Sequence, residues 1–150
     1  MREAIRLSLE KMRRNAGGPF GAVVARRGQI VGRGWNQVTS SNDPTAHAEV
    51  MAIRQACRKL KTFRLDDCEI YTSCEPCPMC LGAIYWARLR RIFYANTRRD
   101  AAAIGFDDDW LYRELARPVG RRKIPMKHLA RAEALKVFAE WQGKPDKVCY

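Results

Sequence analysis

Two short segments place metal-binding side chains at the starts of two separate helices. They are His47-Ala48-Glu49 and Pro76-Cys77-Pro78-Met79-Cys80, with 27 residues between Glu49 and Cys77. A chain that uses both must bring two helix N-termini to one point, and that demand constrains the fold more than any other feature. The sequence around them supplies the means. Phe20 to Ala25 and Ile30 to Trp35 read as two strands joined at Arg27-Gly28-Gln29, a hairpin. Asp43-Pro44 reads as an N-cap and first-turn proline, opening a helix through Ala46, Val50, Ile53, Cys57 and Leu60. Cys68 to Thr72 is a third strand, Pro78 opens a third helix, and Arg91 to Ala95 is a fourth strand. Before them, Ile5, Leu9, Met12 and Ala16 mark one face of an N-terminal helix that Gly17-Gly18-Pro19 stops. After Asp100 the pattern breaks into short helical pieces, with a last helix expected from about Met126 to Trp141. A hairpin followed by strand–helix alternation is an α/β layered domain.

At 150 residues the chain is long enough for one domain to bury a core without staples. The expectation is a single domain over residues 1–150. Apolar residues make up 47% and charged residues 29%, which excludes a disordered chain, and no apolar run approaches the roughly 18 residues of a membrane span. The N-terminal residues lack the apolar stretch of a secretory signal, so the expected location is the cytoplasm. Of the six cysteines, Cys74, Cys77 and Cys80 fall within seven residues, which in a reducing compartment points to a metal. The net charge of +12 is spread over all three thirds of the chain. That even spread reads as a solvated arginine-rich surface and implies no specific nucleic-acid site.

Cys77 and Cys80, at i and i+3, share one helical face, and the helix N-terminal field favours their thiolates. One His and two Cys leave the fourth tetrahedral position of zinc open, the mark of a catalytic centre. A water there has its pKa lowered to around 7. Glu49 is surplus to the ligand set and free to move protons. Two other readings stand beside this one. Cys74 as a fourth ligand would close the site into a structural zinc module, and Cys77–Cys80 alone would suit a redox pair. Neither gives Glu49 a task. The pattern H-x-E…P-C-x-x-C is the signature of the zinc-dependent nucleobase deaminases.

The resemblance extends past that motif. Gly18-Pro19-Phe20-Gly21-Ala22-Val23, Asn42 to Glu49, Tyr71 to Arg88, Ala103 to Asp109 and the aromatic end at Tyr150 together resemble the bacterial guanine deaminase family of the cytidine deaminase superfamily. The resemblance implies a three-layer α/β/α fold with a five-stranded mixed sheet. It implies one zinc per chain at His47, Cys77 and Cys80, and hydrolysis of guanine, a small purine base, to xanthine and ammonia. It implies Glu49 and Asp108 as the proton-moving carboxylates. It also implies Asn36 on the O6/N7 side of the base, Phe20 and Trp86 flanking the ring, the Ala48 backbone bonding the base, and Tyr150 as a lid. Members are typically homodimers that exchange the C-terminal segment, here residues from about 126 to 150. The sequence departs from the family in its surface charge and at Asp109-Trp110, so the run Asp107-Asp108-Asp109 leaves open which acid faces the substrate. The competing enzymatic readings are a tRNA adenosine deaminase, which shares the zinc motif, and a cytosine or triazine aminohydrolase.

Overall fold

The computed structural model describes residues 1–149, which divide into two compact units, Met1–Tyr112 and a second beginning at Arg113. The first holds a four-stranded mixed sheet in the order β2-β1-β3-β4, built from β1 (Gly21–Arg26), β2 (Gln29–Trp35), β3 (Cys68–Cys74) and β4 (Arg91–Asn96). Strands β1 and β2 form the expected hairpin, with Arg26 opposite Gln29. Arg27 and Gly28, both at positive φ (50° and 78°), make the two-residue turn whose twist matches the strands. Strand β3 runs antiparallel to β1 and parallel to β4.

The helices of this unit are α1 (Arg2–Arg13), α2 (Val38–Ser41), α3 (Ala48–Leu60), α4 (Pro78–Trp86), α5 (Arg98–Ala103) and α6 (Asp108–Ala116), the last running across the boundary into the second unit. Gly21 of β1 presses on the α1 backbone at Ala4. Its neighbour Ala22 joins the core cluster with Ala48, Ala52 and Ala56 of α3 and Ile84 of α4. Adjacent strand residues point to opposite faces, so α1 covers one face of the sheet and α3 the other. The α/β layering read from the sequence is therefore present.

The approach of α3 to the sheet depends on glycine. A Cβ at Gly34 would stand 2.0 Å from the Ala48 carbonyl oxygen, and one at Gly32 would stand 2.3 Å from that of Ala52. No side chain fits in those gaps. Bare backbone on β2 lets the first turns of α3, which carry His47 and Glu49, lie directly on the strand.

Several expectations need correction. The fifth strand is absent among the described residues. Where the chain leaves β4 it is turned into α5 by a capping box, the Thr97 and Asp100 side chains each bonding the other's backbone N–H. Downstream of α6 come only a short 3₁₀ turn (Val119–Arg121) and α7 (Arg131–Gly143). The second helix does not open at Asp43-Pro44. The Asp43 carboxylate instead takes the Thr45 backbone N–H (2.8 Å) and hydroxyl (2.6 Å), a local turn, and α3 begins at Ala48. On α1 the buried residues are Ala4 and Leu7, while Ile5 and Leu9 are 46% and 44% exposed. The apolar stripe seen in the sequence is thus not the face on the sheet. The last helix starts at Arg131, because Ala130 takes a left-handed conformation (φ 55°) that helix interiors exclude. Among the described residues no helix is long and apolar enough to cross a membrane.

Candidate active site

His47 and Cys77 occupy equivalent positions, each the N-cap residue of its helix with extended backbone, φ/ψ −72°/155° and −67°/167°. An N-cap side chain ordinarily bonds its own helix, a contact worth about 0.5–2 kcal/mol. Neither does so here. Both are turned away from their helices and toward each other, while Pro78 occupies the first turn of α4, where its missing N–H costs nothing. The His47 Nδ1 lies 3.6 Å from the Cys77 sulfur and 3.5 Å from the Cys80 sulfur. A tetrahedral ion with Zn–S of about 2.3 Å and Zn–N of about 2.0–2.1 Å requires an N···S edge of about 3.5 Å. The three donors therefore already stand at zinc-ligand spacing, and they form the one group of this kind among the described residues.

Cys74 does not join them. It is buried at the end of β3, and its thiol donates to the Thr97 carbonyl oxygen at 3.5 Å. Burial pushes that thiol up to about 11. The closed four-ligand module loses its fourth ligand, and an ion held by His47, Cys77 and Cys80 would keep one tetrahedral position open. Within the ligand pair, the neighbouring Cys80 favours thiolate at Cys77, while Cys80 itself is pushed up and keeps its proton. Metal binding displaces that proton.

Glu49 sits in the first turn of α3 and is only 6% exposed. Its carboxylate accepts from the Thr72 hydroxyl (3.3 Å) and from the Cys80 thiol (3.4 Å). Burial raises its pKa above the ordinary carboxylate value. A carboxylate so placed beside a metal group is equipped to take up and release a proton.

His47, Glu49, Cys74 and Cys77 line a pocket of about 290 Å³ with Phe20, Asn36, Val38, Thr39, Ala48, Glu75, Phe106 and Asp108. The three consecutive acids have three separate tasks. Asp107 caps α6 by accepting the Trp110 backbone N–H at 2.9 Å. Asp109 pairs with Arg98 at 3.5 Å. Asp108 alone of the three lines the pocket, and burial raises its pKa.

Asn36, 7% exposed, is held by its own side chain: Oδ1 accepts the backbone N–H groups of Gly18 (3.2 Å) and Val38 (3.3 Å). That commits the carbonyl and leaves the amide nitrogen, a donor, for a ligand. Gly17 must be glycine for this loop to close, since φ is +145° and a Cβ would fall 1.7 Å from the Asn36 carbonyl oxygen.

Of the aromatics expected around a base, Phe20 is in place. Phe106 meets it edge-on, with ring centres 4.8 Å apart. Trp86 does not line the pocket and is 69% exposed. It ends α4, six residues beyond Cys80, and at 1.5 Å per residue the helix carries it about 9 Å away along its axis. Tyr150 lies outside the described residues.

The family described as the cytidine and deoxycytidylate deaminase zinc-binding region matches residues 1–96, which hold both halves of the metal group. The chain belongs to this deaminase family. Its cofactor is accordingly zinc, and His47, Cys77 and Cys80 are the group able to hold one ion. The deaminase is 51% identical to the guanine deaminase of Bacillus subtilis (strain 168) over 150 residues, covering 100% of this chain and 96% of the relative. The X-ray structure of guanine deaminase from Bacillus subtilis superposes with a TM-score of 0.96 at 51% identity, over 99% of this chain and 95% of that one. The deaminase is also 34% identical to the tRNA-specific adenosine deaminase of Buchnera aphidicola subsp. Schizaphis graminum, over 82% of this chain and 79% of the relative.

Phe106, Val38, Thr39 and Glu75 were not singled out from the sequence as site residues. Phe106 and Glu75 carried a signal, through their places in the Gly105-Phe106-Asp107-Asp108 and Tyr71 to Arg88 segments. Val38 and Thr39 enter through the short helix α2 that follows β2.

Proposed function

We propose that this deaminase hydrolyses guanine to xanthine and ammonia. The observation that carries the reading is a further pocket carboxylate, Asp108, in the same pocket as Glu49, in a chain 51% identical to a guanine deaminase well beyond residue 96, where the zinc-binding region ends. Guanine C2 is an amidine-like carbon bearing an exocyclic amine. Replacing that amine with oxygen needs a nucleophile, a proton for the ring nitrogen, and a proton for the departing ammonia.

Zinc, when bound to His47, Cys77 and Cys80, supplies an activated water. The remaining work falls to side chains. Glu49, held by Thr72, takes a proton from the attacking water and passes it to the ring nitrogen. Asp108 accepts from the guanine N–H edge, takes the attacking water's second proton as C2 becomes a carbonyl, and delivers it to the leaving amine. The Asn36 amide nitrogen donates to the acceptor edge, O6 and N7, because its oxygen is already engaged. Phe20 flanks the ring with Phe106 braced against it, and the Ala48 backbone bonds the base.

Ammonia release from guanine, cytosine, an amino-triazine and a tRNA anticodon hairpin, measured side by side, tests this reading. Guanine should lead by at least about 10²-fold, since a site built around ligand hydrogen bonds rejects rings that leave its polar groups unpaired. A hairpin turned over faster than guanine would assign the enzyme to tRNA editing.

The same proposal extends to the whole chain. It works as a cytoplasmic homodimer with no specific nucleic-acid partner, each chain of 150 residues a deaminase domain that exchanges residues from about 126 onward with its partner. None of the six cysteines is in a disulfide, which suits a reducing compartment. Helix α7 leaves Leu135, Val137, Phe138 and Trp141 exposed, Phe138 by 70%, more apolar surface than a lone helix sustains in water. A partner's cover would place Tyr150 as a lid on the neighbouring site. A Glu49→Gln chain mixed with a chain lacking residues 147–150 should then regain activity that neither homodimer has, because one site per heterodimer combines an intact Glu49 with an intact lid. Full activity in the truncated homodimer would overturn the exchange.

A further inference from the structure

Two pieces of the site come from distant parts of the chain, the Pro76–Cys77 turn that opens α4 and the start of α6 that carries Asp108. Tyr112 stands one helical turn after Asp108, on the same side of α6. Its hydroxyl donates to the Pro76 carbonyl oxygen at 2.8 Å, and that carbonyl belongs to the peptide bond leading into the metal ligand Cys77. Arg98 secures the same junction from the start of α5. Its backbone N–H donates to Glu75 Oε2 at 3.0 Å. Its guanidinium lies 4.7 Å over the Tyr112 ring and 3.5 Å from the Asp109 carboxylate. One residue thus grips the ligand turn with its backbone and α6 with its side chain. Nothing in this set is in the pocket lining except Glu75.

We propose that Tyr112 and Arg98 are positioning residues for the reaction, acting by fixing the start of α6 against the Cys77 turn so that Asp108 stands at working distance from the metal group. The proposal rests on the guanine reading and on the role given there to Asp108. A displacement of 1 Å at a reacting group is enough to cost about 10²-fold in rate. Tyr112→Phe removes the tether to Pro76 but keeps the ring under Arg98, so a partial loosening follows, not collapse.

The test is a double-mutant cycle in the zinc-loaded enzyme. Tyr112→Phe should lower kcat for guanine about tenfold, with KM changed less than about twofold and zinc still one per chain. In an Asp108→Asn background the same substitution should change the residual kcat less than about twofold, because the group it positions is already gone. Arg98→Lys, which keeps the charge and loses the planar stack, should reproduce the Tyr112→Phe phenotype in milder form. An unchanged kcat in Tyr112→Phe, a loss of zinc, or an equal tenfold loss in both backgrounds would overturn the proposal. The guanine reading fails separately: it falls if the unsubstituted enzyme releases no ammonia from guanine, or if Asp108→Asn retains full turnover.

Discussion

Glu49→Gln should keep zinc and fold and lose about 10²–10⁴-fold in kcat. The amide preserves the shape of the carboxylate and can still bond Thr72, whose hydroxyl now meets Glu49 at 3.3 Å. What it cannot do is hold and release a proton. The side chain is not needed as a ligand, since the His47 nitrogen and the two sulfurs already stand at zinc-ligand spacing without it. Metal content and thermal unfolding measured beside single-turnover rates separate the outcomes. A variant with zinc present and turnover near the parent's would show that another group, Asp108 being the nearest in kind, moves both protons.

Cys77→Ser should empty the metal site and abolish turnover. A hydroxyl is a poor substitute for a thiolate on zinc. Losing even an outer-shell partner of a ligand typically weakens a metal site about 10–100-fold, so replacing a ligand costs more. Metal analysis after dialysis should fall from one ion per chain to near none. Cys74→Ser is the matched comparison, because Cys74 bonds the Thr97 carbonyl and not the metal group. It should retain both zinc and activity. The reverse pattern, zinc lost from Cys74→Ser and kept by Cys77→Ser, would mean that the closed module was the right reading after all.

The metal group was legible because zinc chemistry limits which residue types can sit together, and because helix starts leave a sequence trace in Asp43-Pro44 and Pro78. The trace was imperfect. Asp43 spends its carboxylate on a turn at Thr45, and His47 itself takes the N-cap position. The hairpin was legible because Arg27-Gly28 needs positive φ and the flanking strands do not. The core face of α1 was not, because Ala4 and Leu7 win the sheet where Gly21 has cleared a space, and Ile5 and Leu9 are left outside. No rhythm in a single helix encodes which face its neighbour can accept. The pocket wall was half legible for a related reason. Phe20 belongs to a motif, whereas Val38 and Thr39 reach the pocket only because β2 ends where it does. The assignment of Asp108 among three adjacent acids required seeing that Trp110 and Arg98 had already claimed the other two.

The bare backbone of β2 at Gly32 and Gly34 divides the site into a part that can be redesigned and a part that cannot. On the strand, no side chain can be introduced without pushing α3, and with it His47 and Glu49, out of place by more than an ångström. Substitutions in that strip would therefore damage the chemistry before they altered substrate choice. Val38, Thr39 and Phe106, by contrast, line the cavity without a place in the metal group. Changes of size or polarity there alter the shape of the mould and leave its fixed reference surface untouched. Variation in which amino-heterocycle the enzyme accepts should accordingly accumulate at the mouth, while the glycine strip tolerates almost none.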